Sequence, residues 1–123
     1  MARILVIDDD PQVRAMLRQM LERAGYEVVD ARDGKEAIKR YHEERVDLVI
    51  TDLIMPEMEG IETIMELQRD NPDAKIIAIS GGGRIGPESY LHIAEQLGAL
   101  RTFAKPIERE EFLETVEEVL KLS

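Results

Sequence analysis

Short apolar runs alternate along the chain with apolar residues at helical spacing. Continuous apolar runs at 4–7 and 76–79, together with the largely apolar segment 46–51, are typical of strands that are buried on both faces of a sheet. Weaker strand signals lie at 26–29 and 102–104. Between the strands lie helical stripes, the clearest of which comprises Val13, Met16, Leu17, Met20, Leu21 and Ala24. The pattern predicts five strands alternating with five helices.

Capping signals mark where several of these helices begin and end. Pro11 occupies a favourable first helical position, and Asp10 precedes it as a cap. Asp33 and Glu36 have the spacing of a capping-box variant at the start of the second helix. Gly25 follows the first stripe, where glycine commonly ends a helix. The fourth helix is predicted to begin at Pro87 and to end at Gly98, and the fifth carries apolar residues over 112–120.

Alternation of this kind indicates the α/β class, with a parallel sheet covered by helices on both faces. The connections are short, and no linker, repeat or low-complexity segment interrupts them. We therefore expect one domain over residues 1–123, with no output domain. In such sheets ligands bind beyond the carboxyl ends of the strands, so the polar residues at those ends are the candidates for chemistry.

Composition restricts the classes of function further. Twenty-six acidic residues outweigh sixteen Lys and Arg, and the net charge is −10. An acidic chain without a basic cluster is poorly suited to a nucleic-acid backbone, so we expect no direct nucleic-acid contact. The absence of cysteine excludes disulfides and thiolate metal sites. No membrane span or signal pattern is evident, and a cytoplasmic protein with protein or metal-ion partners is expected.

Acidic residues collect at the carboxyl ends of the predicted strands. Asp8, Asp9 and Asp10 follow the first strand, and Asp52 ends the third. Crowded carboxylates repel one another unless a cation is present, and oxygen ligands without Cys or clustered His favour Mg²⁺ over Zn²⁺. Asp10 is better explained as a helix cap, which leaves Asp8 and Asp9 as the metal candidates beside Asp52.

Asp52 is also the best candidate for a nucleophile. A carboxylate can attack phosphorus to form an acyl phosphate, and the protein then mainly positions groups and neutralises charge. Lys105, after the fifth strand, supplies a cation, and Ser80, at the end of the fourth, supplies a hydroxyl. The four polar groups of such a transfer are therefore present: a nucleophile, an acidic metal site, a cation and a hydroxyl.

The chain resembles bacterial two-component response-regulator receiver domains of the CheY-like kind, and the resemblance covers its whole length. Its motifs are ILVIDDDP at 4–11, DLVITDLIMPEMEG at 47–60, IIAISG at 76–81 and KP at 105–106. Any one motif alone is weak, but the set at these spacings is highly specific. The resemblance implies a flavodoxin-like three-layer α/β/α fold with strand order 2-1-3-4-5.

The same resemblance implies a role for each site residue. Asp52 is the phosphoacceptor, Asp8 and Asp9 form the acidic pair that holds Mg²⁺, and the main-chain carbonyl of Ile54 completes the metal shell. Ser80 and Lys105 contact the phosphoryl group, and the Lys-Pro peptide bond is usually cis. A histidine kinase or phosphotransfer protein donates the phosphoryl group. A protein target reads the face near the fourth helix, the fifth strand and the fifth helix.

One position departs from the receiver pattern. Thr102 stands where many receivers carry an aromatic residue that moves inward with the Ser/Thr hydroxyl, and the neighbouring Phe103 should point to the opposite face of the sheet. The glycine-rich segment 81–83 is therefore expected to carry more of the signal. Ile54 and Gly82 offer no polar side chain to orient an attacking water, which predicts slow self-dephosphorylation. We do not expect an enzyme beyond this self-catalysis.

Three alternatives compete with a phosphorylated receiver. Asp8-x-Asp10 resembles the aspartate motif of haloacid-dehalogenase-type phosphatases, although Gln12 stands where that motif prefers Thr or Val. A flavin carrier has the same fold class, but three acids in the first loop would repel a phosphate. The remaining alternative is a receiver-like interaction module that is never phosphorylated.

Overall fold

Five parallel strands and four helices make up the described part of the chain. The computed structural model describes residues 2–53, 60–80, 95–96 and 98–122. The strands are β1 (Arg3–Ile7), β2 (Glu27–Ala31), β3 (Leu48–Asp52), β4 (Ile76–Ser80) and β5 (Arg101–Ala104). The helices are α1 (Pro11–Arg23), α2 (Gly34–Glu43), α3 (Gly60–Asp70) and α4 (Arg109–Leu120). Within the described ranges, no helix is long and apolar enough to cross a bilayer.

The strand order is β2-β1-β3-β4-β5, as the resemblance implied. β3 lies between β1 and β4, and its parallel register pairs Val49 with Leu5 on one side and with Ile76 on the other. All residues of β3 and β4 are buried. The order brings the carboxyl ends of β1, β3, β4 and β5 to one edge, and that edge carries the candidate site.

Alternate residues of the strands face two separate cores. One core joins strand residues such as Leu5, Val49 and Ile76 to residues of α2 and α3. The other joins Ile4 and Ile50, among others, to residues of α1 and α4. Because successive side chains of a strand point to opposite faces, a continuous apolar run feeds both cores at once. The three-layer α/β/α architecture predicted from the sequence is confirmed.

The predicted caps are present. The Asp10 side chain accepts a hydrogen bond from the main-chain N–H of Gln12, and Asp33 accepts one from Glu36. The Glu36 carboxylate accepts a hydrogen bond from the main-chain N–H of Arg32. In a standard capping box it would accept from the N–H of the cap residue, which here is Asp33. Gly25 has a φ of 99°, a left-handed conformation that glycine adopts without steric cost.

Several strand boundaries differ from the predicted ones by one or two residues, most of all those of β2 and β3. β2 covers Glu27–Ala31 rather than 26–29, and β3 begins at Leu48 and includes Asp52. The predicted β2 ended before Asp30 because this residue is charged. In the structure Asp30 lies within the strand and pairs with Arg18 of α1 at 2.9 Å. Most of the predicted fourth helix lies outside the described residues, although Glu95 and Gln96 are helical. The predicted fifth helix corresponds to α4.

Candidate functional site

Four of the predicted site residues come together at the carboxyl edge of the sheet. Carboxylate oxygens of Asp8, Asp9 and Asp52 all lie within 4.8 Å of one another. Lys105 Nζ lies 3.3 Å from Asp8 Oδ2 and 3.7 Å from Asp52 Oδ2. Three strand ends, those of β1, β3 and β5, therefore supply one compact group of three acids and one cation.

The turn between β1 and α1 presents two of these acids differently. Asp8 is buried, with 1% of its surface exposed, whereas Asp9 is exposed. The Asp8 N–H extends the ladder to β2 by donating to Ala31 O at 3.2 Å, and Asp8 Oδ1 accepts from the N–H of Asp10 at 2.9 Å. Asp10 then caps α1, so the turn is tied to the sheet on one side and to the helix on the other.

Burial raises the pKa of the Asp8 carboxyl above its ordinary value. The hydrogen bond from the Asp10 main chain and the positive charge of Lys105 oppose this effect, and the charge of Asp9 adds to it. Burial has the larger effect, so ionisation of Asp8 is less favourable in the folded protein than in water. A divalent cation between the acids would offset that cost.

Asp52 is fixed at the end of β3 by tight main-chain packing. Its side chain is nearly buried, and the hydroxyl of the buried Thr51 donates to the main-chain oxygen of Asp52 at 2.9 Å. Gly60, the first residue of α3, lies so close that a Cβ there would be 2.0 Å from that same oxygen. The Gly60 N–H also donates to Leu53 O at 2.9 Å, which closes the connection between β3 and α3. A residue with a side chain could not occupy position 60 without moving Asp52.

Ser80 ends β4 beside this group. Its hydroxyl is buried and, within the described residues, has no hydrogen-bond partner. Its main-chain oxygen accepts from the N–H of Lys105 at 2.9 Å, so β4 and the residue after β5 are joined directly at the site. Buried hydroxyls are nearly always hydrogen-bonded, so the Ser80 hydroxyl is a candidate donor to a ligand oxygen at this edge.

The donor set fits a hard divalent cation. All three candidate side chains are carboxylates, and one oxygen of each can approach a common point. Mg²⁺ prefers a few carboxylates together with water and phosphate oxygens, and the exposed Asp9 leaves one side of the group open to them. Asp8, Asp9 and Asp52 therefore suit Mg²⁺ chemically.

Three further predictions concern the surroundings of the site. The Lys105–Pro106 peptide bond is cis, as predicted. Phe103 packs edge-on against Phe112 of α4, with ring centroids 5.4 Å apart, so it does point away from the face that Thr102 occupies. Ile54, whose carbonyl was expected to complete the metal shell, and the 81–83 segment lie outside the described residues.

Sequence reasoning overlooked Arg14, Thr51 and Gly60. Arg14 Nη1 donates to Asp8 O at 2.7 Å, and Thr51 and Gly60 both contact the Asp52 main chain. The spacing of Arg14, one helical turn after the acidic residues, was a signal that could have been used. The Thr51 bond had no such signal, because a β-branched residue in a strand is ordinary.

Comparison with known proteins agrees with this geometry. Residues 4–117 match the response regulator receiver domain model. The chain is 37% identical over 120 residues to chemotaxis protein CheY of Thermotoga maritima, covering 97% of this chain and 98% of that protein.

Solved structures of receiver domains have the same fold as this chain. A response regulator receiver domain protein from Clostridium thermocellum superposes with a TM-score of 0.90 at 27% identity, covering 98% of this chain and 94% of that one. Response regulator TrrA from Thermotoga maritima, solved in complex with Mg²⁺–BeF, superposes at 0.85 with 33% identity, covering 97% and 99%. The strand order, the acidic edge and these similarities together lead to one conclusion: the chain belongs to the response regulator receiver domain family.

Proposed function

We propose that the protein is a phosphoacceptor receiver that takes a phosphoryl group onto Asp52. The observation that carries this proposal is the arrangement of Asp52 beside both a cation and two further acids: its Oδ2 lies 3.7 Å from Lys105 Nζ, and it shares a 4.8 Å group with Asp8 and Asp9. A carboxylate so placed has a charge-neutralising partner on one side and a metal-binding pair on the other.

Each residue of the site has a distinct role in this proposal. Asp8, Asp9, Asp52 and the Ile54 main-chain carbonyl hold Mg²⁺, which supplies positive charge to the phosphoryl oxygens when it is bound. Lys105 contacts a second phosphoryl oxygen as a point charge. Ser80 donates its hydroxyl to a third, which satisfies a buried group that has no partner in the part of the chain that the structure describes.

The transfer requires one bond to form and one to break. An Asp52 carboxylate oxygen attacks the phosphorus of a phosphohistidine on a histidine kinase or phosphotransfer protein, and the phosphorus–nitrogen bond breaks. The electron pair stays with the imidazole, which takes a proton from water. Lys105, 3.3 Å from Asp8 Oδ2 before transfer, then shares its charge with the new phosphoryl oxygens. The protein catalyses only this reaction and a slow hydrolysis of its own acyl phosphate.

The signal leaves the site through a change in population between two arrangements of the same fold. The phosphoryl charge draws the Ser80 hydroxyl toward it, and Thr102, paired with Ala78 in the sheet register, lies on the adjoining strand. A protein target reads the face formed by the predicted fourth helix, β5 and α4. Because Phe103 is held by Phe112, it does not take the place of an aromatic switch at position 102.

The first experiment is phosphorylation by a small phosphodonor with and without Mg²⁺, followed by intact mass. We expect one added phosphoryl group on the wild type, none without Mg²⁺ and none on Asp52→Asn. Asp10→Asn is the matched control, because Asn also caps helices well and Asp10 lies in the same acidic turn. It should accept the group as the wild type does.

Two other outcomes would change the assignment. Wild-type protein that stays unmodified with several donors would favour a receiver-like interaction module. Loss of the acyl phosphate in Asp8→Asn and Asp10→Asn, with retention in Asp52→Asn, would favour the phosphatase-like alternative. Family membership already weighs against that alternative and against a flavin carrier.

A further inference from the structure

Arg14 reaches from α1 back to the acidic turn. Its Nη1 donates to the main-chain oxygen of Asp8 at 2.7 Å, and the bond is partly buried. The proposed transfer gives this arginine no role. Hydrogen bonds from a charged donor are roughly twice as strong as neutral ones, so this contact is a strong restraint on the turn.

The bond from Arg14 acts on the peptide that links Asp8 to Asp9. The Asp8 N–H is held by Ala31 O, and the Asp10 N–H by Asp8 Oδ1. Arg14 fixes the peptide between Asp8 and Asp9 by binding its oxygen. That peptide sets the direction in which the chain carries Asp9, the exposed member of the three-carboxylate group.

We propose that Arg14 is a positioning residue for the divalent cation: it orients Asp8 and Asp9 toward Asp52 by holding the Asp8 carbonyl. The inference rests on the metal site of the proposed function. A positive charge near the acids repels Mg²⁺, so Arg14 has two effects of opposite sign. Mg²⁺ demands near-ideal octahedral geometry, and groups that orient metal ligands are typically worth about 10–100-fold in affinity. Orientation is therefore the larger of the two effects.

Arg14→Met tests this because it removes the donors and the charge but keeps an apolar stem. The matched control is Arg18→Met, one turn further along α1, where the guanidinium pairs with side-chain carboxylates of Asp30 and Glu22. Both variants lose one charge from the same helix. Mg²⁺ affinity is measured by calorimetry on all three proteins, and amide exchange at Asp9 and Asp10 is measured without metal.

We expect Arg14→Met to bind Mg²⁺ about tenfold more weakly and Arg18→Met to stay within about twofold of the wild type. Exchange at Asp9 and Asp10 should rise in Arg14→Met alone. Phosphorylation of Arg14→Met should require more Mg²⁺ for half-maximal rate and recover at saturating Mg²⁺. Arg14→Lys, with the charge but without the planar pair of donors, should fall between Arg14→Met and the wild type.

Several results would overturn the inference. Equal or tighter Mg²⁺ binding by Arg14→Met would mean that charge repulsion dominates. Equal weakening by both variants would mean a general loss of helix stability. A rate that stays low at saturating Mg²⁺ would mean that Arg14 acts on the transfer itself. If the wild type does not bind Mg²⁺, the proposed metal site is wrong as well. If the wild type and Arg14→Met bind Mg²⁺ with the same affinity, only this inference is wrong.

Discussion

At the amino-terminal edge of the sheet, charged side chains are matched with partners. The Asp47 carboxylate accepts from the Arg3 N–H at 2.8 Å, and the Arg3 guanidinium contacts Glu27 and the main-chain oxygen of Arg45. Lys75 Nζ donates to the carbonyls of Leu120 and Leu122 at 3.2 and 2.6 Å, which closes the end of α4. Charge at this edge stabilises the fold.

At the carboxyl edge, three acids surround a single lysine among the described residues. Three carboxylates, two of them buried, lie beside one lysine, and the Ser80 hydroxyl is buried without a partner within the described residues. An arrangement that costs stability persists when function requires it. The difference between the two edges supports the metal and phosphoryl site proposed at the carboxyl edge.

Replacing the lysine at each edge should separate the two cases most strongly. Lys105→Met leaves the buried Asp8 and Asp52 without their cation, and we expect a loss of about 2 kcal/mol in the free energy of unfolding, somewhat below the cost of breaking a fully buried pair. Lys75→Met removes two bonds to carbonyls, one exposed and one partly buried, and should cost about 1 kcal/mol.

Mg²⁺ distinguishes these variants further. Adding Mg²⁺ during chemical denaturation should restore part of the stability of Lys105→Met, because the ion replaces the missing charge between the acids. It should shift Lys75→Met only as much as the wild type. Equal responses of the two lysine variants would contradict the contrast between the edges.

Hydroxyl groups at the carboxyl edge should give effects of opposite sign. Ser80→Ala removes a buried oxygen that has no partner among the described residues, so we expect the metal-free, unphosphorylated protein to gain about 1 kcal/mol. Thr51→Val, on the neighbouring strand, removes the hydroxyl that binds Asp52 O and should lose about 1 kcal/mol. Thermal and chemical unfolding of the two variants measure this, and a loss in Ser80→Ala would show that its hydroxyl is satisfied in solution.

Sequence patterns predicted the central part of the fold because both faces of β3 and β4 are buried and most of each strand, residues 48–50 and 76–79, is continuously apolar. The β2 boundary was wrong by up to two residues, because an outer strand can carry a charge such as Asp30 without leaving the ladder. The grouping of Asp8, Asp52 and Lys105 followed from the parallel topology alone, since strand ends converge whatever their separation in sequence.

The contacts that orient the site could not be read in the same way. The Arg14–Asp8 bond depends on a side-chain rotamer, and the contact between Gly60 and Asp52 depends on the path of the chain between β3 and α3. Hydrophobic periodicity describes faces of elements and carries no information about such paths. Likewise, only the packing around Ser80 shows that its hydroxyl is buried and that the described ranges contain no partner for it.

The smallest expected effect concerns the charge of Asp8 itself. Burial raises the Asp8 pKa, so the folded protein holds this proton more tightly than the unfolded chain does. Stability from this group is therefore present below the unfolded value near 3.8 and is lost as the pH rises through the folded pKa. Asn at position 8 carries no charge, so Asp8→Asn does not lose stability as the pH rises. Its amide oxygen can still accept from the Asp10 N–H, and the metal-free variant should be more stable than the wild type at neutral pH.

Asp47→Asn at the opposite edge is the control for this prediction. Its oxygen can still accept from the main-chain N–H of Arg3, but the acceptor loses its charge, so the variant should be neutral or slightly destabilising. Urea denaturation from pH 3 to pH 8 would show the Asp8→Asn advantage growing with pH in the absence of metal and shrinking or reversing when Mg²⁺ is added, since only the wild type then gains the ion. An advantage that stays constant down to the lowest pH would mean that the gain comes from packing and not from the charge of Asp8.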